Sequence, residues 1–397
     1  MQVVVTGIGL ISSLGNSLET SWQNLIYGKS GIKLCQPFLE HQVHRYAPLP
    51  PRPLALIDQS PADLTKLTRL VVASALKDAG LTPPLRDCGV VIGSSRTHQA
   101  DWEQLARQMH GFKPFLSNRE VGLELWLDTL PQMNAIAAAR QIGSTAQVLA
   151  PMNACATGIW AIAWAALLIQ TGQCERVIAG AVETPITPLT LAGFGQMGAL
   201  ASTGAYPFDR HREGLVLGEG ATLLVLESTQ SAKNRAAKVY GQILGFGLTN
   251  DAYYANKPEP EGKSAIAAVK QCLERSNLAL ADIDYIHAHG TATQLNDKHE
   301  AQLIEHLFPQ GVPVSSTKGA TGHTLGASGA LGAAFCLMAL QEQLMPPCVG
   351  LQTPEFDLDL VSAARREQIK QVLCFSFGFG GQNAVLALGK SKGLEGD

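Results

Sequence analysis

The chain has 397 residues, 46% hydrophobic and 16% charged, with a formal charge of −3. That is enough apolar material for a large core, in one domain or two packed halves, and too little net charge for a general attraction to nucleic acid or acidic membranes. Small molecules and proteins remain as partners.

In chain order, Met1-Gln2-Val3-Val4-Val5-Thr6-Gly7 lacks the pattern of a secretory leader, which predicts a cytoplasmic protein. Residues 3–5 are the first strand candidate, followed by 90–92, 177–179, 223–226, 283–287 and 385–388, with longer helical patterns between them. This alternation predicts an α/β fold of mostly parallel, buried strands. Gly7-Ile8-Gly9 continues to Ser12, where a dinucleotide-binding turn needs glycine. The apolar run 159–169 is shorter than the roughly 20 residues that cross a bilayer, so it reads as a buried helix and no membrane insertion is expected. The eight cysteines form no C-x-x-C pair. Neither they nor the histidines recur at zinc-ligand spacing, so reduced thiols and no metal are expected.

A long-period repeat runs through the chain. A helical pattern over 69–80 leads into the apolar 89–93, and one over 265–277 leads into 283–287. Small-residue runs open apolar helices at 154–158 and again at 326–332. Two similar halves follow, 1–237 and 238–397, joined near 228–238, with a site between them.

Four motifs carry chemistry. Asn153-Ala154-Cys155-Ala156-Thr157-Gly158 places a thiol at a helix N-terminus, where unpaired amides and the dipole favour thiolate; a buried structural cysteine is the alternative. His287-Ala288-His289-Gly290-Thr291-Ala292-Thr293, followed by Asn296, Asp297 and Glu300, ends a strand at the carboxyl edge of the sheet. Here His287 reads as packed in the core and His289 as catalytic. Ser315-Ser316-Thr317-Lys318-Gly319-Ala320-Thr321-Gly322-His323 is a polar, glycine-rich turn that does not match a phosphate loop, because Lys318 precedes its glycines. In Phe375-Ser376-Phe377-Gly378-Phe379-Gly380-Gly381-Gln382-Asn383, glycines allow amides to point at a ligand and a phenylalanine can gate a tunnel; a tight turn with a buried aromatic is the alternative.

Together, and in this order, these motifs resemble the β-ketoacyl-[acyl-carrier-protein] synthase family, types I and II, of the thiolase superfamily. Val4 to Gly9, Asp209 to Glu213 and Gly218-Glu219-Gly220 fall in the family's order too, so the resemblance spans the chain. It implies the thiolase-like fold, two pseudo-symmetric βαβαβ-type halves packed in αβαβα layers, usually as a homodimer. It also implies an acyltransferase in which Cys155 takes an acyl group from acyl carrier protein, malonyl-carrier loses carbon dioxide, and the enolate attacks the acyl-cysteine. The amides of Cys155 and Phe379 would hold the tetrahedral oxyanion, and His289 and His323 the enolate. Lys318 and Glu300, beside Asp297, would form a charge pair that tunes His323. Thr291 and Thr293 would bind the pantetheine arm, with Phe377 and Arg96 as further substrate-binding residues, and Phe379 would gate the site. No cofactor is needed, because the thioester supplies activation. A thiolase would carry a second cysteine where the phenylalanine loop stands, and a non-catalytic partner subunit would lack Cys155.

One position departs from the family pattern. Gly93-Ser94-Ser95-Arg96-Thr97-His98 replaces a glycine-rich, apolar stretch beside the acyl pocket, so either Arg96 pairs with an acid or the pocket is polar or short. The segment before the helix at 63–80 also lacks a basic cluster for an acidic carrier, leaving Lys66 and Arg69 as substitutes. A ketosynthase of a specialised, polyketide-like pathway therefore stands beside the fatty-acid enzyme.

Overall fold

The computed structural model describes residues 1–36, 51–109 and 126–391. Among them, eleven strands form one sheet: β1 (Val3–Ser12), β2 (Cys88–Gly93), β3 (Val148–Leu149), β4 (Arg176–Glu183), β5 (Gly220–Ser228), β6 (Gly241–Asn250), β7 (Tyr285–His287), β8 (Pro313–Ser315), β9 (Asp359–Leu360), β10 (Gln371–Gly378) and β11 (Gln382–Gly389). Their spatial order is β9-β8-β7-β10-β11-β6-β1-β5-β4-β2-β3. From the centre outward each half runs antiparallel twice and then parallel twice, with β9 adding a third parallel pairing in one half, so β1 corresponds to β6, β5 to β11, β4 to β10, β2 to β7 and β3 to β8.

The expectation of mostly parallel strands is therefore corrected. A strand buried on both faces reads as a continuous apolar run whichever way its neighbour points, and β5 and β11 are such strands. The strand expected over 283–287 also starts later, at Tyr285, because Leu280–Asp282 forms one turn of 3-10 helix ending on Ile283.

Six helices complete the layers. Helices α1 (Leu64–Asp78) and α2 (Met133–Ile142) cover the outer face of one half-sheet. Helices α4 (Lys263–Ser276) and α5 (Gln294–Leu307) cover the outer face of the other. Between the half-sheets lie α3 (Thr157–Gln170) and α6 (Ser328–Glu342). Both are apolar all round, as a helix buried on most of its faces must be, with Trp164 the exposed large apolar residue of α3. The stretch Leu325–Glu342 is long and apolar enough to cross a membrane, yet 89% of it is buried inside the protein, so it is a core helix.

The repeat expected from sequence has a structural counterpart: α1 leads to β2 as α4 leads to β7. Helices α3 and α6 both start after a single 3-10 turn, Ala154–Ala156 and Leu325–Ala327. The first residue of each turn has positive φ, +49° at Ala154 and +42° at Leu325.

The two central helices touch almost backbone to backbone. A Cβ at Gly158 would lie 2.5 Å from the Ala330 nitrogen, and one at Gly329 would lie 2.8 Å from Ile159 Cγ1. Overpacking of this kind costs about 1–3 kcal/mol. Gly158→Val should therefore lower the urea midpoint of unfolding and reduce activity with it; an unchanged midpoint would contradict this account of the crossing.

Candidate active site

Cys155 sits in the 3-10 turn that feeds α3, and it is 8% exposed. The elbow is locked by Thr157, whose hydroxyl accepts from Asn153 N at 2.8 Å and donates to Ala154 O at 2.7 Å. The β10–β11 hairpin closes over it. Ser376 Oγ donates to Cys155 O at 2.9 Å, and a Cβ at Gly378 would come within 3.0 Å of Cys155 N, so only glycine allows the loop this near. The Phe379 amide lies near enough to the Cys155 sulfur to favour its thiolate, and amides at this turn are suited to hold a tetrahedral intermediate's oxygen.

His289 lies just beyond β7, whose last residue is His287. The His287 ring is buried and bonded through Nε2 to Thr317 Oγ1 at 3.1 Å, away from the chemistry, as the sequence suggested. His323 lies on the loop leading to α6, with its backbone amide on Val216 O at 2.6 Å. The His289 and His323 rings meet edge to face with centroids 5.3 Å apart. One ligand-type atom from each of Cys155, His289 and His323 lies within 4.8 Å of the other two. A single substrate group can therefore touch all three, and among the described residues this set alone has a metal-like grouping.

The supporting groups divide differently from the expectation. Glu300 accepts from His289 N at 2.6 Å and Gly290 N at 2.7 Å. Lys318 donates to His289 O and lies 3.4 Å from His289 Nδ1. Both hold His289, and no ion pair joins Lys318 to Glu300 among the described residues; the Lys318 charge still acts on His323, pushing its pKa down. Glu300 reaches His289 because α5 begins directly after the histidine turn, and Glu300 faces back onto it. His323 is oriented instead by Ser328 Oγ, 2.9 Å from Nδ1. Asp297 stands one step further from the chemistry, accepting from Ala292 N at 3.1 Å and Phe208 N at 2.8 Å.

Burial sets the electrostatics. It holds both imidazoles well below the usual histidine range, and the Lys318 charge pushes the same way, so both rings are neutral near pH 7. Burial also lowers Lys318, and raises Glu300 to about 7 and Asp297 to about 6. Cys155 is pushed up to about 11 by burial, against the opposing charges of Lys318 and Arg96 and the Phe379 amide. Burial thus works against the thiolate that the helix N-terminus was expected to favour.

A cavity of about 340 Å³ opens onto Cys155, His289 and His323. Thr291 and Thr293 line it, with their hydroxyls 2.9 Å apart. Phe377 lines it edge-on to His289, at 6.1 Å between centroids. Phe379 stands at the wall, 38% exposed, and stacks on Phe194 at 6.0 Å. Arg96 is half-buried, its guanidinium carbon 5.6 Å from the centre of the Phe194 ring. Sequence reasoning missed Ser328, Ser376 and Phe194. Ser328 opens α6 as its first residue, with Ala327 as the N-cap, and its hydroxyl turns to His323 instead; Ser376 lay within the phenylalanine loop without a role of its own, and nothing in the sequence marked Phe194.

Thiolate rather than thiol reacts with alkylating agents. Alkylation of Cys155 by iodoacetamide should therefore quicken by roughly tenfold per pH unit between pH 7 and 9. A rate already level by pH 8 would contradict the raised thiol.

The sequence matches the family model described as "Beta-ketoacyl synthase, N-terminal domain" over residues 1–232, and that described as "Beta-ketoacyl synthase, C-terminal domain" over residues 240–352. A mitochondrial protein of Schizosaccharomyces pombe, named as a 3-oxoacyl-[acyl-carrier-protein] synthase, is 35% identical over 98% of this chain and 99% of its own. The 3-oxoacyl-[acyl-carrier-protein] synthase 2 of Staphylococcus aureus is 34% identical over 98% of each chain. Among solved structures, a type II polyketide ketosynthase in complex with its acyl-carrier protein and bound to a hexaketide superposes with a TM-score of 0.90 at 27% identity, over 98% of this chain and 99% of that one. A β-ketoacyl synthase from Burkholderia phymatum gives 0.86 at 27% identity, over 98% and 100%. With the layered fold and the cysteine–histidine cluster, these matches establish that the chain belongs to the β-ketoacyl synthase family and is an acyltransferase of the 3-oxoacyl-[acyl-carrier-protein] synthase type.

Proposed function

We propose that decarboxylative condensation runs here on Cys155, His289 and His323, elongating an acyl chain delivered by acyl carrier protein. The observation that carries this reading is the grouping of the three reactive atoms within 4.8 Å, next to the Phe379 amide. In the first half-reaction, Cys155 sulfur bonds to the acyl carbonyl carbon, the bond to the pantetheine sulfur breaks, and the thiol proton passes to the departing thiolate. In the second, the carboxylate–carbon bond of malonyl-carrier breaks and carbon dioxide leaves. The enolate oxygen accepts from the Nε2–H groups of the neutral histidines. Lys318 against the His289 carbonyl and Nδ1, and Ser328 against His323 Nδ1, leave those Nε2 atoms as the donors. The enolate carbon then bonds to the acyl-cysteine carbonyl carbon, and its oxyanion rests on Cys155 N and Phe379 N until the carbon–sulfur bond breaks.

Thr291 and Thr293 are read as contacts for the pantetheine arm and Phe379 as the gate. Exposed Lys66 and Arg69 on α1 offer positive charge to an acidic carrier. The outer edge of β3, with exposed Val148, Met152 and Trp164 nearby in sequence or on α3, fits a homodimer interface. Residues 1–237 and 238–397 are read as the two halves, on the strand-for-strand equivalence about the β1–β6 seam. The cytoplasm is the compartment this reading assigns. A second reading, extension of an oxygen-bearing chain in a specialised pathway, is favoured by Arg96.

Intact-mass analysis after incubation with acyl-carrier tests the assignment. Wild type should gain one acyl group and Cys155→Ala none. His289→Ala and His323→Ala should still acylate, yet release carbon dioxide from malonyl-carrier roughly 100- to 1,000-fold more slowly. An acyl adduct on Cys155→Ala would overturn the proposal.

A further inference from the structure

The turn between β2 and the helix Gln99–Met109 is held with unusual firmness for a loop. The Glu183 carboxylate, fully buried, accepts from Ser94 Oγ at 2.9 Å, Ser95 N at 2.7 Å, Ser95 Oγ at 2.6 Å, Arg96 N at 2.9 Å and Gly326 N at 3.0 Å. Two consequences follow. The backbone of Arg96 is tied both to β4 and to the turn that starts α6, so the root of its side chain is fixed relative to Cys155. The buried Glu183 carboxylate is also taken up by five neutral donors, and among the described residues no carboxylate pairs with the Arg96 guanidinium.

Among the described residues the guanidinium makes no hydrogen bond or ion pair; its recorded neighbour is the face of Phe194. Phe194 also lines the cavity that opens on Cys155. The cation is close enough to that thiol to lower its pKa against burial. The same turn carries a second open polar group. His98 is 4% exposed, its Nδ1 lies 3.0 Å from Asp101 Oδ2, and its Nε2 has no partner. A half-buried guanidinium with open donors, set against an aromatic wall of an acyl cavity, is poorly matched to a hydrocarbon chain and well matched to an oxygen.

We propose that Arg96 is a specificity residue for the acyl group: its guanidinium donates hydrogen bonds to an oxygen carried on the chain, so that acyl groups bearing a keto or carboxylate oxygen are accepted over saturated ones. The inference rests on the condensing reading given above. A site built to hydrogen-bond a substrate oxygen discriminates strongly against analogues lacking it, because its own polar groups are then left unpaired.

The test compares kcat/KM for acylation of Cys155 by hexanoyl-, 5-oxohexanoyl- and adipoyl-carrier, using the full chain as wild type, Arg96→Leu and Arg96→Lys. Wild type should favour at least one oxygenated carrier over hexanoyl. Arg96→Leu should shift that ratio toward hexanoyl by about ten- to a hundred-fold, partly restored in Arg96→Lys. Preference for the oxo or the adipoyl arm identifies the oxygen as keto or carboxylate. An unchanged ratio in Arg96→Leu, or an equal loss on all three carriers, overturns the inference and leaves Arg96 as a charge acting on the thiol. Wild type that acylates with none of the three overturns the condensing reading and the inference together.

Discussion

Helices α3 and α6 cross with Gly158 against Ala330, and that contact brings the first turns of both helices into one space. Cys155 leads into one helix, and the loop carrying His323 leads into the other. Because both helices lie between the half-sheets, Cys155 and His323 meet at the seam of the two halves. His289 arrives from the end of β7, and the Phe379 loop from the β10–β11 hairpin. Neither half holds a complete site. The strained backbone at Ala154 and Leu325, positive φ at non-glycine residues in equivalent positions, is the local cost of turning the chain sharply enough to start each helix there.

A dry site follows from the same arrangement, and dryness decides which charges exist. Cys155, His289, His323, Lys318, Glu300 and Asp297 are all buried, and desolvation is the largest influence on every one of them. Burial holds both imidazoles neutral, while Lys318, Glu300 and Asp297 keep the local charge around them. In the proposed reaction, new charge develops on the reacting atoms, first as thiolate and later as enolate and tetrahedral oxyanion. The fixed donors meet it without reorganising, which is where such donors contribute most to rate.

Much of this was legible in the sequence, and the reasons differ from residue to residue. The two-half architecture was visible because α1–β2 and α4–β7 repeat the same pattern of apolar helix, short link and apolar strand. Cys155, His289 and His323 were visible because each sits among small residues beside an apolar element, a pattern that core packing alone does not require. Strand direction was hidden, since β5 and β11 are buried on both faces and carry no alternation. The partner of Glu300 was hidden because it depends on which way α5 faces after the histidine turn. The state of the thiol was hidden as well: it depends on what covers Cys155, and the covering loop comes from the far end of the chain. Arg96 stood out in sequence as a misplaced charge, and in the structure Glu183 beside its backbone is engaged by neutral donors.

The central claim is that one buried cysteine and two neutral histidines make a carbon–carbon bond by losing carbon dioxide. It is tested most directly by following a single turnover of pre-acylated enzyme with malonyl-carrier labelled with carbon-13 at its methylene carbon, measuring released carbon dioxide and the mass of the product together. The account predicts one carbon dioxide per 3-oxoacyl product, with the label retained between its two carbonyl carbons. Product formed without loss of carbon dioxide, or loss of carbon dioxide with the acyl group left on Cys155, would contradict it.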